Sequence, residues 1–246
     1  MTSRILQVAL VQLRVGIDRT KNLENAAKLV KEAAKQGAKL IALPECFNSP
    51  YGTKFFSQYA EPIPSGPSCD MLSKVAKENQ IYLVGGTIPE LESSKYYNTC
   101  TVWNPEGKLI AKFRKMHLFD IDIPGGITFK ESDILSAGND LATFEINNVL
   151  VGIGVCYDLR FDELAKLYRL QGCELLIYPG AFNMTTGPIH WEILQRDPWG
   201  KVLEQAEHGE QIIYSNLDFA ECDKVRAQIP IGKQRRTDIY NTIHEF

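Results

Sequence analysis

The opening of the chain permits few architectures. Ile5 to Val15 is apolar and rich in β-branched residues, and reads as a strand. From Asn22 to Gln36, the residues Leu23, Ala26, Ala27, Val30, Ala33 and Ala34 recur at helical spacing, and Gly37 stands where a left-handed residue closes a helix. LIALPE (40–45) then reads as a short buried strand that breaks at Pro44. The result is a β-α-β unit with a carboxylate, Glu45, at the carboxyl end of its second strand, where open α/β sheets place their ligands.

The rest alternates crossovers with hairpins. Residues 46–67 read as a long ordered loop, Cys69 to Asn79 as a helix and IYLVGGTI as a strand. NTCTVWNPEGKLIAKFRK has two alternating runs around the turn NPEG, followed by a loop, MHLFDIDIPGG. LATFEINNVLVGIGV is a second hairpin, turned at Asn147 and Asn148, and it delivers Cys156 to a strand end. FDELAKLYRLQG reads as a helix closed by Gly172, and ELLIYPGAF as the next strand. A mixed sheet, or two packed sheets covered by helices, accommodates this order, and residues 1–246 read as a single domain because no linker interrupts them.

Composition narrows the function. A net charge of −3 gives no general attraction to nucleic acid or anionic membrane, so a small molecule is the expected partner. The start lacks a secretory leader and no apolar run reaches a membrane span, so the expectation is a soluble cytoplasmic protein. Six cysteines without CxxC spacing argue against a disulfide framework and a zinc site. Reduced thiols fit the cytosol.

Three groups with chemistry fall at strand ends or in the loops after them: Glu45, Lys115 and Cys156. Each has a plain alternative, since a free cysteine packs as a small hydrophobe, a loop carboxylate can be locally satisfied and a lysine can be solvated. Spacing alone leaves both readings open. The blocks LPECFNSPYG, FRKMHLFDIDIPGG, GVCYDLRF and YPGAFNMTTGPIHWE, in this order, closely resemble the nitrilase superfamily of carbon–nitrogen hydrolases, and within it the omega-amidase branch. The likeness runs from about residue 4 to the C-terminal RRTDIY.

That resemblance implies a four-layer α-β-β-α sandwich, homodimeric by pairing across a helical face. It implies Glu45 as general base, Lys115 as the cation that stabilises a tetrahedral intermediate, Cys156 as nucleophile, and Glu131 as the carboxylate that orients the lysine. The amide of Tyr157 would assist at the oxyanion, and Phe182, Thr185 and Thr186 would line the substrate pocket. No metal or organic cofactor is expected. The implied reaction is hydrolysis of the side-chain amide of 2-oxoglutaramate or 2-oxosuccinamate through a cysteine thioester, with another small-amide or N-carbamoyl hydrolase as the alternative.

The chemistry requires these residue types. A thiol is mostly protonated near neutrality, so a carboxylate beside it must accept the proton as it attacks and then return that proton to the leaving nitrogen. GIG at 152–154 resembles part of a dinucleotide fingerprint but lies inside a strand and lacks the third glycine. His117, His190, His208 and His244 have no metal-ligand spacing, and His117 reads as structural. Asp158 and Arg160 are expected to pair and to shape the nucleophile turn.

The family pattern breaks after Arg196. The helix begun at HWEILQR runs at once into DPWGKVLEQ, where KVLEQ alternates like the second half of a hairpin whose first strand is missing. One or two strands are therefore expected to be absent near residues 196–198, and a non-catalytic shortened form stands beside the active enzyme as a reading. All four catalytic candidates lie upstream of the break.

Overall fold

The protein is described by a computed structural model covering residues 4–125, 128–182, 187, 191 and 194–240. The β-α-β opening forms: β1 (Ile5–Gln12) is followed by α1 (Arg19–Lys35) and β2 (Leu40–Ala42), parallel to β1. Asp18 caps α1 by accepting the Lys21 N–H, and Gly37 takes φ +96° after its end. Then come α2 (Thr53–Tyr59), α3 (Pro67–Asn79), β3 (Tyr82–Glu92), β4 (Lys95–Trp103) and β5 (Leu109–Arg114). A late strand, β11 (Gln211–Asp218), joins antiparallel to β1, and the six strands lie in the order β11-β1-β2-β3-β4-β5.

A second sheet of three strands packs on the inner face of the first. It consists of β8 (Thr143–Ile146), β9 (Val149–Ile153) and β10 (Leu175–Ile177), with α4 (Asp162–Leu170) between the last two. The β8-β9 hairpin turns at Asn147 and Asn148, both at positive φ, as the asparagine pair leads one to expect. Two apolar cores follow from strand alternation. Ala9, Val11, Ile41, Leu83 and Trp103 face α1 and α3, whereas Leu6, Val8, Ala42, Val84 and Val102 face Phe144, Val151 and Ile153 of the small sheet. Tyr168 of α4 lies over Gly152, and Tyr178 over Gly154, where any side chain would collide with the rings. The layers are thus α-β-β-α, and the glycines of GIG serve packing.

Two expected loops and one expected strand turn out differently. Residues 46–67 include the helix α2, held by Phe56, which buries against Cys46 and Leu135; a seven-residue helix starting at Gly52 has too little intrinsic propensity to announce itself. The segment after Met116 forms a two-stranded ribbon, β6 (Asp120–Asp122) with β7 (Thr128–Lys130), which runs directly into a 3-10 turn at Glu131–Asp133. KVLEQ does not become a strand: residues 201–207 lie outside any sheet, while the turn before them is well made, with Asp197 Oδ1 accepting from the Trp199 and Lys201 amides at 2.9 and 2.7 Å. The turn survives because its bonds are local, whereas a strand needs a paired neighbour, and among the described residues none pairs with 201–207.

Among the described residues no strand lies between Ile177 and Gln211, and the small sheet has half as many strands as the large one. Leu10 points to the same inner face as the buried Leu6 and Val8, yet is 47% exposed. The helix α5 (Ala220–Gln228) follows β11.

No helix among the described residues is long and apolar enough to cross a membrane, and all six cysteines are free. Burial pushes the Cys173 thiol up to about 11 and the Cys69 thiol up to about 12, the latter with help from Glu61. Unfolded thiols ionise near pH 8.5, so this contribution is complete below that value and is lost as pH rises through about 11 to 12. The thermal midpoint should therefore fall between about pH 8 and about pH 10.5, with a shallower fall in a Cys69→Ala variant. Equal midpoints at the two pH values would refute this.

Candidate active site

Four of the residues marked by sequence converge. Glu45 follows β2 and the Pro44 break, and the turn that carries it fits against a bulge in β3, where Gly86 stands at φ +60° and any side chain would strike the Pro44 carbonyl. Lys115 leaves the end of β5, and Glu131 opens the 3-10 turn after β7. Cys156 begins a second 3-10 turn (Cys156–Arg160) beyond β9, at φ +46°, with its amide donating to the Pro179 carbonyl at 2.8 Å. A non-glycine residue held at positive φ is costly and marks a turn that the surroundings over-determine.

All four side chains are buried. Lys115 Nζ lies 3.0 Å from Glu45 Oε1 and 2.9 Å from Glu131 Oε2. Burial opposes its charge, but the two carboxylates prevail and hold its pKa above the usual lysine value. The Cys156 thiol lies within the electrostatic reach of Glu45, whose Oε2 accepts the Ala181 N–H at 2.9 Å. Burial first, and then the Glu45 charge, raise the thiol pKa well above its ordinary value, so the resting group is the neutral thiol.

Glu131 is pinned by three donors. Tyr51 Oη and the Phe119 N–H each donate to it at 2.7 Å, in addition to Lys115. The Cys156 turn is closed by Asp158, which accepts the Val155 N–H at 2.9 Å and the His117 N–H at 2.8 Å, with the His117 ring nitrogen 2.7 Å away. His117 therefore occupies the place expected of Arg160, because the loop after β5 runs beside the turn. Arg160 instead sets its guanidinium 5.7 Å from the Tyr157 ring and 5.2 Å from the Phe182 ring.

Tyr157 stands edge-on to Phe119 at 5.0 Å, and Phe182 packs on Trp191 at 4.5 Å. Tyr157 thus belongs to the Cys156 turn, and Phe182 meets that turn through Arg160. Thr185 and Thr186, expected on the pocket wall, lie outside the described residues. Sequence reasoning missed Tyr51, Ala181 and Asn98, whose side chain donates to Glu45 Oε1 at 2.8 Å. Tyr51 and Ala181 lie inside the motif blocks LPECFNSPYG and YPGAFNMTTGPIHWE, whereas Asn98, in a strand of mixed polar and apolar residues, left no signal.

A neutral thiol, a carboxylate near it and an ammonium on that carboxylate, seated at strand ends of a double α/β sandwich, are the groups that thiol-dependent hydrolysis requires. A family model described as carbon-nitrogen hydrolase matches residues 7–197, and its match ends where the sequence pattern breaks. The chain is 50% identical to omega-amidase NIT2 of Mus musculus, covering 95% of this chain and 96% of the relative, and 48% identical to that of Homo sapiens, covering 98% of each. The human comparison spans 272 positions against 246 residues here, so the relative carries positions with no counterpart in this chain. Among solved structures, Nit3 of Saccharomyces cerevisiae, described as a member of branch 10 of the nitrilase superfamily, is 39% identical with a TM-score of 0.85, over 94% of this chain and 97% of that one. The chain belongs to the carbon–nitrogen hydrolase family.

Proposed function

We propose that this chain is an omega-amidase that hydrolyses the terminal amide of 2-oxo dicarboxylate monoamides, 2-oxoglutaramate and 2-oxosuccinamate, to the 2-oxo diacid and ammonia. The observation that carries the reading is the buried contact chain of Cys156, Glu45, Lys115 and Glu131. Relatives of about half identity bearing the omega-amidase name support the choice of substrate class.

Attack forms the sulfur–carbon bond while the thiol proton passes to Glu45. Negative charge thus moves from the carboxylate to the former carbonyl oxygen, where Lys115 and the Tyr157 N–H stabilise it; losing one such donor costs about 3–4 kcal/mol in related chemistry. Collapse breaks the carbon–nitrogen bond, and Glu45 returns the proton to the departing nitrogen, giving ammonia and a thioester. Glu45 then takes a proton from water, the hydroxide displaces sulfur, and the proton returns to the thiolate. Glu131 holds Lys115 throughout, and Arg160, stacked near Tyr157 and Phe182, is the cation suited to the substrate's carboxylate.

We further propose a cytoplasmic homodimer, the buried reduced thiols fitting a reducing compartment. The alternative, a shortened form without turnover, is favoured by the uncovered inner face at Leu10. Ammonia release from 2-oxoglutaramate, measured beside thermal unfolding, decides: turnover with cooperative unfolding supports the amidase, and cooperative unfolding without turnover supports the inactive form.

A further inference from the structure

Asn98 sits on β4 with its side chain buried against the base. Its carbonyl accepts the Lys115 amide at 2.9 Å, and its Nδ2 donates to Glu45 Oε1 at 2.8 Å. Glu45 Oε1 therefore carries two donors, Asn98 and Lys115, while Oε2 receives the Ala181 N–H. The other end of the Asn98 amide, Oδ1, is buried with no hydrogen-bond partner among the described residues. An orphaned buried acceptor costs about 1–3 kcal/mol, which a leucine of similar shape would avoid. Reversing the amide gives no relief, because Oδ1 would then oppose the Glu45 carboxylate. An amide kept at this cost requires a reason beyond packing.

We propose that Asn98 is a positioning residue for the general base. It pins Glu45 by Oε1, together with Lys115, so that Oε2 stays turned to the thiol, and its donor keeps the carboxylate ready to receive the thiol proton. Lys115 alone cannot do both, since it is also drawn to Glu131. The proposal rests on Glu45 acting on Cys156 as described above and goes further in assigning the device that aims it.

The test compares wild type with Asn98→Leu, an apolar near-isostere, and Asn98→Asp, which opposes Glu45 with a second carboxylate. Two readouts are followed from about pH 5 to about pH 9: kcat and KM on 2-oxoglutaramate, and the rate of Cys156 alkylation by iodoacetamide, located by peptide mass. For Asn98→Leu, kcat should fall roughly 10- to 100-fold with KM within about twofold, since the loss is in proton transfer. The acid limb of both profiles should move up by about one pH unit, the worth of one hydrogen bond to a charge. Asn98→Asp should move it further, because adjacent carboxylates resist ionising together. The melting temperature of Asn98→Leu should be unchanged or higher. Unmoved acid limbs, or activity lost only in proportion to unfolded protein, would overturn the proposal. The alkylation profile needs no substrate, so absence of turnover in the wild type would sink the amidase reading while still deciding the role of Asn98.

Discussion

Replacing Cys156 by alanine is expected to reduce ammonia release by at least about 10⁴-fold, because the covalent route has no substitute nucleophile. The other five thiols are fixed elsewhere in the fold, and Cys46, the nearest in sequence to Glu45, is kept protonated by burial and by the Glu45 charge. Stability should hardly change. Alanine loses only a sulfur atom from the turn, whose shape is set by the Asp158 bonds and by the Cys156 amide on Pro179, and Glu45 keeps its bonds to Asn98, Lys115 and Ala181. Intact-mass measurement after mixing with an omega-amide should show an acyl adduct on the wild type and none on the variant. Appreciable turnover by Cys156→Ala would remove sulfur from the mechanism.

Lys115→Met should damage both catalysis and folding. The ammonium is fully buried between Glu45 and Glu131, and its removal leaves two buried carboxylates without their shared counter-charge. Breaking a buried pair in this way costs about 3–5 kcal/mol, a large part of the roughly 5–15 kcal/mol that holds a domain together. At this size a midpoint drop on the order of 10 °C follows. The deficit has a definite pH dependence. In the wild type the lysine pKa is raised, so its contribution persists below the ordinary lysine value and is lost only at more alkaline pH. Residual folded variant should show a lower kcat with little change in KM. A variant as stable as wild type at pH 7 and impaired only in KM would mean that the lysine merely binds substrate.

Legibility in the sequence followed the range of the interactions. The β-α-β opening, the Asn147–Asn148 turn and the helix closed by Gly172 are encoded by neighbours in the chain, and each forms where the pattern indicates. The α2 helix was missed because its stability comes from Phe56 meeting Cys46 and Leu135, contacts that no local window contains. The Asp158–Arg160 pair was expected from proximity in sequence. His117 holds Asp158 instead because the loop after β5 lies against the nucleophile turn.

The residues of this chain by themselves determined its layered α/β class, its family and the places where its thiol, carboxylates and lysine stand, since periodicity and ordered motifs are properties of the linear chain. Only the tertiary structure decided that Asn98 and Ala181 hold Glu45, that Tyr51 holds Glu131, and that the inner face at Leu10 is left uncovered. Hydrogen bonding and burial depend on which strands and loops meet in space, and those meetings join residues as far apart in the chain as Glu45 and Ala181.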